Sequence, residues 1–151
     1  LTFDACFPDS VIGIVVNEKL ADRDFVEYLL QSFKARLQAL GNGFHEVIYQ
    51  RALEIEMRLA GIDFSREFEM PIYYREAQIG TRRVDFLVEG IISVELKAMT
   101  KLEDVHFAQA INYLETYNLE IGLLINFGEM SLKFKRLTNK KFKEIPRVPS
   151  K

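Results

Sequence analysis

Asp85, Glu95 and Lys97 stand together in one stretch, residues 82–97, reading RRVDFLVEGIISVELK. Two carboxylates brought close repel each other. Their charged forms are costly unless something positive sits between them. A divalent cation meets that need: Mg²⁺ is typically held by one or two carboxylates, with water and a phosphate oxygen completing its shell. Lys97 lies two residues beyond Glu95, so on a strand both side chains point to one face. From there an ammonium can orient or help deprotonate an attacking water and offset charge on a phosphate. These are the parts of metal-assisted phosphodiester hydrolysis. With Arg83 added, the same charges also describe an ion-pair ladder on a solvated face. Residue types alone leave both readings open.

What must position these side chains is a hairpin. Val84, Phe86 and Val88 alternate on one arm, and Ile92, Val94 and Leu96 on the other. A two-residue turn at Glu89-Gly90 pairs 88 with 91 and puts the two apolar rows on opposite faces. A three-residue loop of Glu89, Gly90 and Ile91 pairs 88 with 92, with Gly90 in a left-handed position. The apolar rows then share a face, as a packed core needs. That register places Asp85 opposite Glu95 and Arg83 opposite Lys97.

The chain of 151 residues suits one domain with one core, and 48% hydrophobic residues is ordinary for a soluble globular protein. The net charge of −2 is unevenly spread. Residues 133–151 hold eight Lys or Arg and one acid, hence +7, which leaves −9 for the other 132 residues. A basic end beside an acidic body suits phosphate contact at one place and metal binding at another; a solubilising terminus is the plainer account. Lys140, Lys141 and Lys143 are the candidate nucleic-acid contacts. The single Cys6 excludes an internal disulfide and fits a reducing, cytoplasmic setting. No apolar run is long enough to span a membrane, and no signal peptide is visible.

Along the chain, residues 1–20 read as an N-terminal arm or edge strand, 21–138 as the folded domain, and 139–151 as a basic tail that frays past Asn139. A helix is expected over 22–40, with Phe25, Leu29, Phe33, Leu37 and Leu40 on its apolar side. A second is expected over 44–60, with Ile48, Ala52, Ile55 and Leu59 on one face and Val47, Leu53 and Met57 widening it. Glu46 in its first turn suits the helix dipole, and Tyr49 suits a core or boundary position. Strand material follows over 64–80, where Pro71 argues for an edge or a bulge. A helix fits 104–117, with a stripe of Phe107, Ala110, Leu114 and Tyr117 beside one of His106, Gln109 and Tyr113. Residues 121–127 read as a buried strand, parallel to 92–97 through a right-handed crossover. A short basic strand over 132–137 closes the domain. No phosphate-binding loop, dinucleotide fingerprint or thiolate zinc cluster is present.

These residues carry a resemblance. Gly43-Phe44-His45-Glu46-Val47-Ile48-Tyr49 matches the motif that names the GxxExxY protein family. The match continues through Asp85, Val94-Glu95-Leu96-Lys97, the helix with His106, Gln109 and Asn112-Tyr113-Leu114, and Gly122 to Gly128. It covers roughly residues 25–137. That family resembles a small branch of the PD-(D/E)XK nucleases, similar to the RecB-like members. The resemblance implies a restriction-endonuclease-like α/β core, a mixed sheet in the order αβββαβ, here with an extra N-terminal helix and a short C-terminal strand. It implies catalytic roles for Asp85, Glu95, Lys97 and Glu46. Asp85, Glu95 and Glu46 would hold Mg²⁺ or Mn²⁺. Gln109 and Tyr113, with Tyr49 and His106, would position substrate. Val84 stands where many members have proline. The implied activity is a metal-dependent nuclease, on DNA rather than RNA. The alternative is a silent nucleic-acid-binding or protein-interaction module on the same fold. A core without a recognition domain also implies a homodimer or protein partner to hold nucleic acid.

Overall fold

The structure is a computed structural model that describes residues 23–144. The expected arm at 1–20 and the end of the basic tail lie outside those residues. Where one helix was expected over 22–40, two form: α1 (Arg23–Ser32) and α2 (Lys34–Gln38), separated at Phe33. The Ser32 hydroxyl donates to the Leu29 carbonyl at 2.7 Å, the kind of side-chain bond that loosens a helix end. The buried side chains are Val26, Leu30, Phe33 and Leu37, while Leu40 is exposed and Leu29 only partly covered. Phe33 and Leu37 are buried as expected, while before the break Val26 and Leu30 take the buried places beside the expected stripe.

Helix α3 (Glu46–Leu59) turns its buried face to one side of the expected one. It buries Tyr49, Gln50, Leu53 and Met57. Leu53 and Met57 are buried as expected, but the stripe expected at the centre of the face turns outward, with Ile55 58% and Leu59 78% exposed. Two apolar stripes lie side by side on this helix, and periodicity does not say which one meets a sheet.

Five strands follow as β1 (Phe64–Tyr74), β2 (Ala77–Val88), β3 (Ile92–Lys97), β4 (Ile121–Asn126) and β5 (Lys133–Thr138). They lie in sequence order in one sheet. Helix α4 (Asp104–Thr116) crosses from β3 to the parallel strand β4, and all other neighbours are antiparallel. The mixed sheet and the order αβββαβ, with extra helix before and short strand after, are those expected. β1 is an edge strand and carries Pro71, where a missing N–H costs least.

The turn between β2 and β3 pairs Val88 with Ile92, and the Ile91 N–H returns to the Val88 carbonyl at 3.0 Å. Gly90 has φ +67, and Glu89 is also left-handed at φ +51. The three-residue loop therefore stands, and the apolar rows share a face. On that face Phe86, Val88, Ile92, Val94, Leu96, Ile121, Leu123 and Ile125 pack against α1, α2 and α3 as the main core. The other face carries a small cluster of Ala110 and Leu114 from α4 with Leu124 and Leu137. It is small because β3 presents Ser93, Glu95 and Lys97 there.

Gly128 follows β4 where a Cβ would stand 2.3 Å from the Met99 backbone. Gly80, in β2, would meet nothing within 4 Å. Gly128→Ala is expected to cost about 2–3 kcal/mol, the scale of overpacking, while Gly80→Ala stays within about 0.5 kcal/mol. Paired urea titrations measure both.

Candidate active site

The β2–β3 ladder is short. Its pairs are Val88–Ile92, Leu87–Ser93 and Phe86–Val94. Beyond Phe86 the strands part, and the Leu96 N–H donates to Asp85 Oδ2 at 2.6 Å. A side-chain carboxylate reaches farther than a backbone carbonyl, so the strands need not stay at ladder spacing. The expected backbone pairing of Asp85 with Glu95 and of Arg83 with Lys97 is corrected accordingly. Arg83 pairs with Glu67 at 3.8 Å instead. The charges still gather. Lys97 Nζ lies 3.9 Å from Glu95 Oε2, and its charge acts on Asp85 as well.

Both acids are pushed above the usual carboxylate range, and burial is the main cause for each. For Asp85 the Leu96 N–H, Lys97, Gln50 and Arg83 pull the other way. For Glu95, Lys97 and Arg82 oppose the rise, while the charges of Asp85 and Glu46 add to it. Glu95 Oε1 is buried and has no hydrogen-bond partner. A buried charged oxygen without a partner is expensive.

Gln50 is a site residue that sequence reading passed over. It is buried on α3, one position after Tyr49, and its Nε2 donates to Asp85 Oδ1 at 2.6 Å. Its Oε1 accepts from Arg66 at 3.2 Å, and Arg66 donates on to Glu54 Oε2 at 2.9 Å. Asp85 is thereby held at both oxygens, by one helix and one strand. A neutral amide on an otherwise apolar face was the only signal available.

The strand end that carries Lys97 is fixed separately. The Phe127 N–H donates to the Lys97 carbonyl at 2.7 Å. Buried Asn126 accepts from the Met99 N–H and donates to the Met99 carbonyl and to Glu129. Tyr49 is buried too. Its ring stacks on Phe127 with centroids 4.1 Å apart, its hydroxyl donates to the Gly41 carbonyl at 2.8 Å, and it accepts from the Phe44 N–H at 3.2 Å. With its hydroxyl so engaged, Tyr49 positions the chain rather than a ligand.

The remaining candidates fall in different places. Glu46 opens α3 and reaches Glu95 through its charge. Among the described residues no group of three or more His, Cys, Asp or Glu stands ready to hold an ion, so the expected three-carboxylate set is not assembled. Tyr113 is buried, its hydroxyl donates to Met70 Sδ at 3.2 Å, and burial raises its pKa. Arg82 lies over its ring at 5.7 Å. His106 caps α4, its Nδ1 accepting from the Glu103 N–H at 3.0 Å, which leaves Nε2 to carry the proton of the neutral ring. Gln109 is exposed on the same helix. The tail does not fray at Asn139: buried Asn139 bonds the Leu114 and Leu119 carbonyls, and Asn118 brackets Lys143. Lys141 pairs with Glu115 at 2.7 Å. Lys140, Lys141 and Lys143 follow Thr138, which pairs with Ile121, at the opposite end of the strands from Lys97.

A family model for the PD-(D/E)XK nuclease superfamily matches residues 23–137. The chain belongs to that superfamily. The matched range contains Asp85, Glu95 and Lys97 together with Gln50. Neither the curated proteins nor the solved structures compared with the chain match it. PD-(D/E)XK nucleases generally use divalent metal ions and act on nucleic acid. The residues present fit such an ion: Glu95 offers a buried, unpartnered oxygen, and Asp85 is oriented beside it by two donors. No helix among the described residues is long and apolar enough to cross a membrane.

Two expectations follow from the electrostatics. Glu95 has its folded pKa raised above the ordinary 4.5. Between those values the folded state binds the extra proton, so metal-free stability falls as pH rises through that window. The penalty is absent below the ordinary value and complete above the folded one. The melting temperature of Glu95→Gln should therefore match wild type below the ordinary value, exceed it by a growing margin as pH rises through the window, and then level off; a constant offset across pH would refute this. Gln50→Ala removes the donor on Asp85 Oδ1 and should weaken divalent-ion binding about tenfold or more, the usual effect of losing a residue that orients a ligand. Calorimetric titration, with circular dichroism to confirm folding, measures it.

Proposed function

We propose that the chain is a Mg²⁺- or Mn²⁺-dependent nuclease that hydrolyses phosphodiester bonds in DNA, of the GxxExxY branch and similar to the RecB-like nucleases. One observation carries the reading: the buried, unpartnered oxygen of Glu95 beside an oriented Asp85, with the Lys97 ammonium 3.9 Å from the same glutamate. Asp85 and Glu95 are the residues to hold the ion, which when bound supplies Lewis acidity toward a phosphate oxygen and lowers the pKa of water. Lys97 Nζ offsets negative charge on the reacting phosphate and donates a hydrogen bond to the attacking water. Gln50 and the Leu96 N–H keep both Asp85 oxygens in register. Glu46 adds negative charge at the rim. Exposed Lys140 and Lys143 add attraction to phosphate that reads no sequence.

The competing reading is a nucleic-acid-binding or protein-interaction module that keeps the fold without cutting. It draws on two features: both Asp85 oxygens already accept hydrogen bonds, and no third carboxylate joins the pair among the described residues. Mg²⁺ or Mn²⁺ calorimetry beside cleavage of labelled single- and double-stranded DNA separates the two. Asp85→Asn should weaken metal binding and cleavage together, because it removes a charged oxygen ligand. Lys97→Ala should bind metal as well as wild type or better, yet cut about a hundredfold more slowly. Wild type that binds metal and cuts no substrate supports the silent module. Lys97→Ala that cuts at the wild-type rate removes the role assigned to Lys97.

A further inference from the structure

We propose that the tip of the β1–β2 ribbon is a wedge that stacks on unpaired nucleobases, so that the polymer this chain engages carries a single-stranded stretch. The proposal deepens the nuclease reading by naming the substrate class, and it rests on that reading only for the polymer being nucleic acid.

The first observation is geometric. β1 and β2 pair from Phe64–Val88 out to Tyr74–Ala77, whereas β3 joins β2 only over residues 86–88. From Asp85 to Gln78 the ribbon therefore runs on without a third strand, for about 24 Å at ordinary strand rise. A two-stranded ribbon alone in water is marginally stable. Its lower part is held against α4: Tyr113 donates to Met70 Sδ, the Tyr117 hydroxyl donates to the Met70 carbonyl at 3.1 Å, and Arg82 covers the Tyr113 ring. The tip stands past those anchors.

The second observation is what the tip displays. Tyr73 is 60% exposed, Tyr74 64% and Ile79 65%. Adjacent strand residues point to opposite faces, so the ribbon carries one tyrosine ring on each side. The Arg75 guanidinium lies 5.8 Å from the Tyr74 ring centre. Large apolar groups gathered at one exposed place mark an interaction surface. Two outward rings with a guanidinium at hand form a base-stacking platform.

Arginine side chains select the occupant. Arg83 is taken up by Glu67 and faces Glu69 across the ribbon, while Arg75 stands at the tip against the Tyr74 ring and Arg82 stands nearer the site. A guanidinium contacts phosphate and stacks on flat rings. The ribbon is also continuous with the candidate site, because Arg82 acts on Glu95. A polymer that contacts Arg82 passes from the acids toward the tip. Within a duplex the base faces are covered by their neighbours, so away from the ends rings can stack only where bases are unpaired.

The test uses the full chain without added metal, with EDTA present, so that binding is read apart from cutting. Probes are an oligothymidine of about 20 nucleotides and a blunt duplex of about the same length. Tyr73→Ala/Tyr74→Ala should lose about tenfold or more in affinity for oligothymidine and change less than about twofold on the duplex. Both side chains are exposed, and melting curves check that the fold is kept. The chain contains no tryptophan, so Tyr73→Trp provides a sole reporter. It should bind like wild type, with emission quenched by oligothymidine and not by blunt duplex. Equal losses on both probes, no loss on either, equal quenching by both, or wild type without affinity for oligothymidine would each overturn the wedge. So would a tip variant that changes oligomeric state while its affinity for oligothymidine is intact, which marks the tip as a protein interface. Cleavage is scored independently. A chain that cuts nothing yet loses single-strand affinity keeps the wedge and loses the nuclease reading. A chain whose cutting depends on Lys97 but whose tip variants bind normally does the reverse.

Discussion

The Leu96 N–H points at a side chain where a sheet would offer it a backbone carbonyl. Its bond to Asp85 ends the β2–β3 ladder at Phe86 and Val94. Much of the structure depends on that exchange. It orients Asp85, and it opens the space in which Glu95 and Lys97 stand. It also frees the outer half of β2 from β3, so that the ribbon can lean on Tyr113 and Tyr117 of the α4 region. Glu67, which falls level with Asp85 in the β1–β2 register, adopts φ +51 at the same point. The backbone irregularity and the buried acid therefore coincide.

Burying two acids side by side opposes folding. A single uncompensated polar atom costs about 1–3 kcal/mol, more when charged, against a total stability of about 5–15 kcal/mol. The sheet divides the task between its faces. Toward α1, α2 and α3 it is apolar and continuous from β2 to β4. Toward α4 it carries the polar row of β3 and only a small apolar cluster. The larger core offsets what the site destabilises. The chain of bonds from Asp85 through Gln50 and Arg66 to Glu54 keeps the acid in one orientation.

The stretch from Gly43 to Tyr49 gains a physical meaning here. Gly43 has φ +102, open to glycine and strained for other residues. Tyr49 closes the turn by bonding both Gly41 and Phe44, and it stacks on the residue after β4. These two positions set where α3 begins and how it is rotated. That rotation brings Gln50 to Asp85 and leaves Ile55 and Leu59 outside. The motif is thus largely a device for aiming a helix at the site, with Glu46 carried along on its first turn.

Local pattern alone determined the strands, the turn at 89–91, the parallel crossover and the gathering of Asp85, Glu95 and Lys97. Each follows from alternation, a left-handed glycine or chain handedness, which act over a few residues. Tertiary structure decided which stripe of α3 is buried, because two apolar stripes on one helix are equivalent until a sheet and a tyrosine clamp choose between them. It decided that Asp85 reaches Leu96 by its side chain, that Gln50 belongs to the site, and that the Tyr49 and Tyr113 hydroxyls are engaged by Gly41 and Met70. Those outcomes depend on distances between elements far apart in the chain, and spacing within one element carries no record of them.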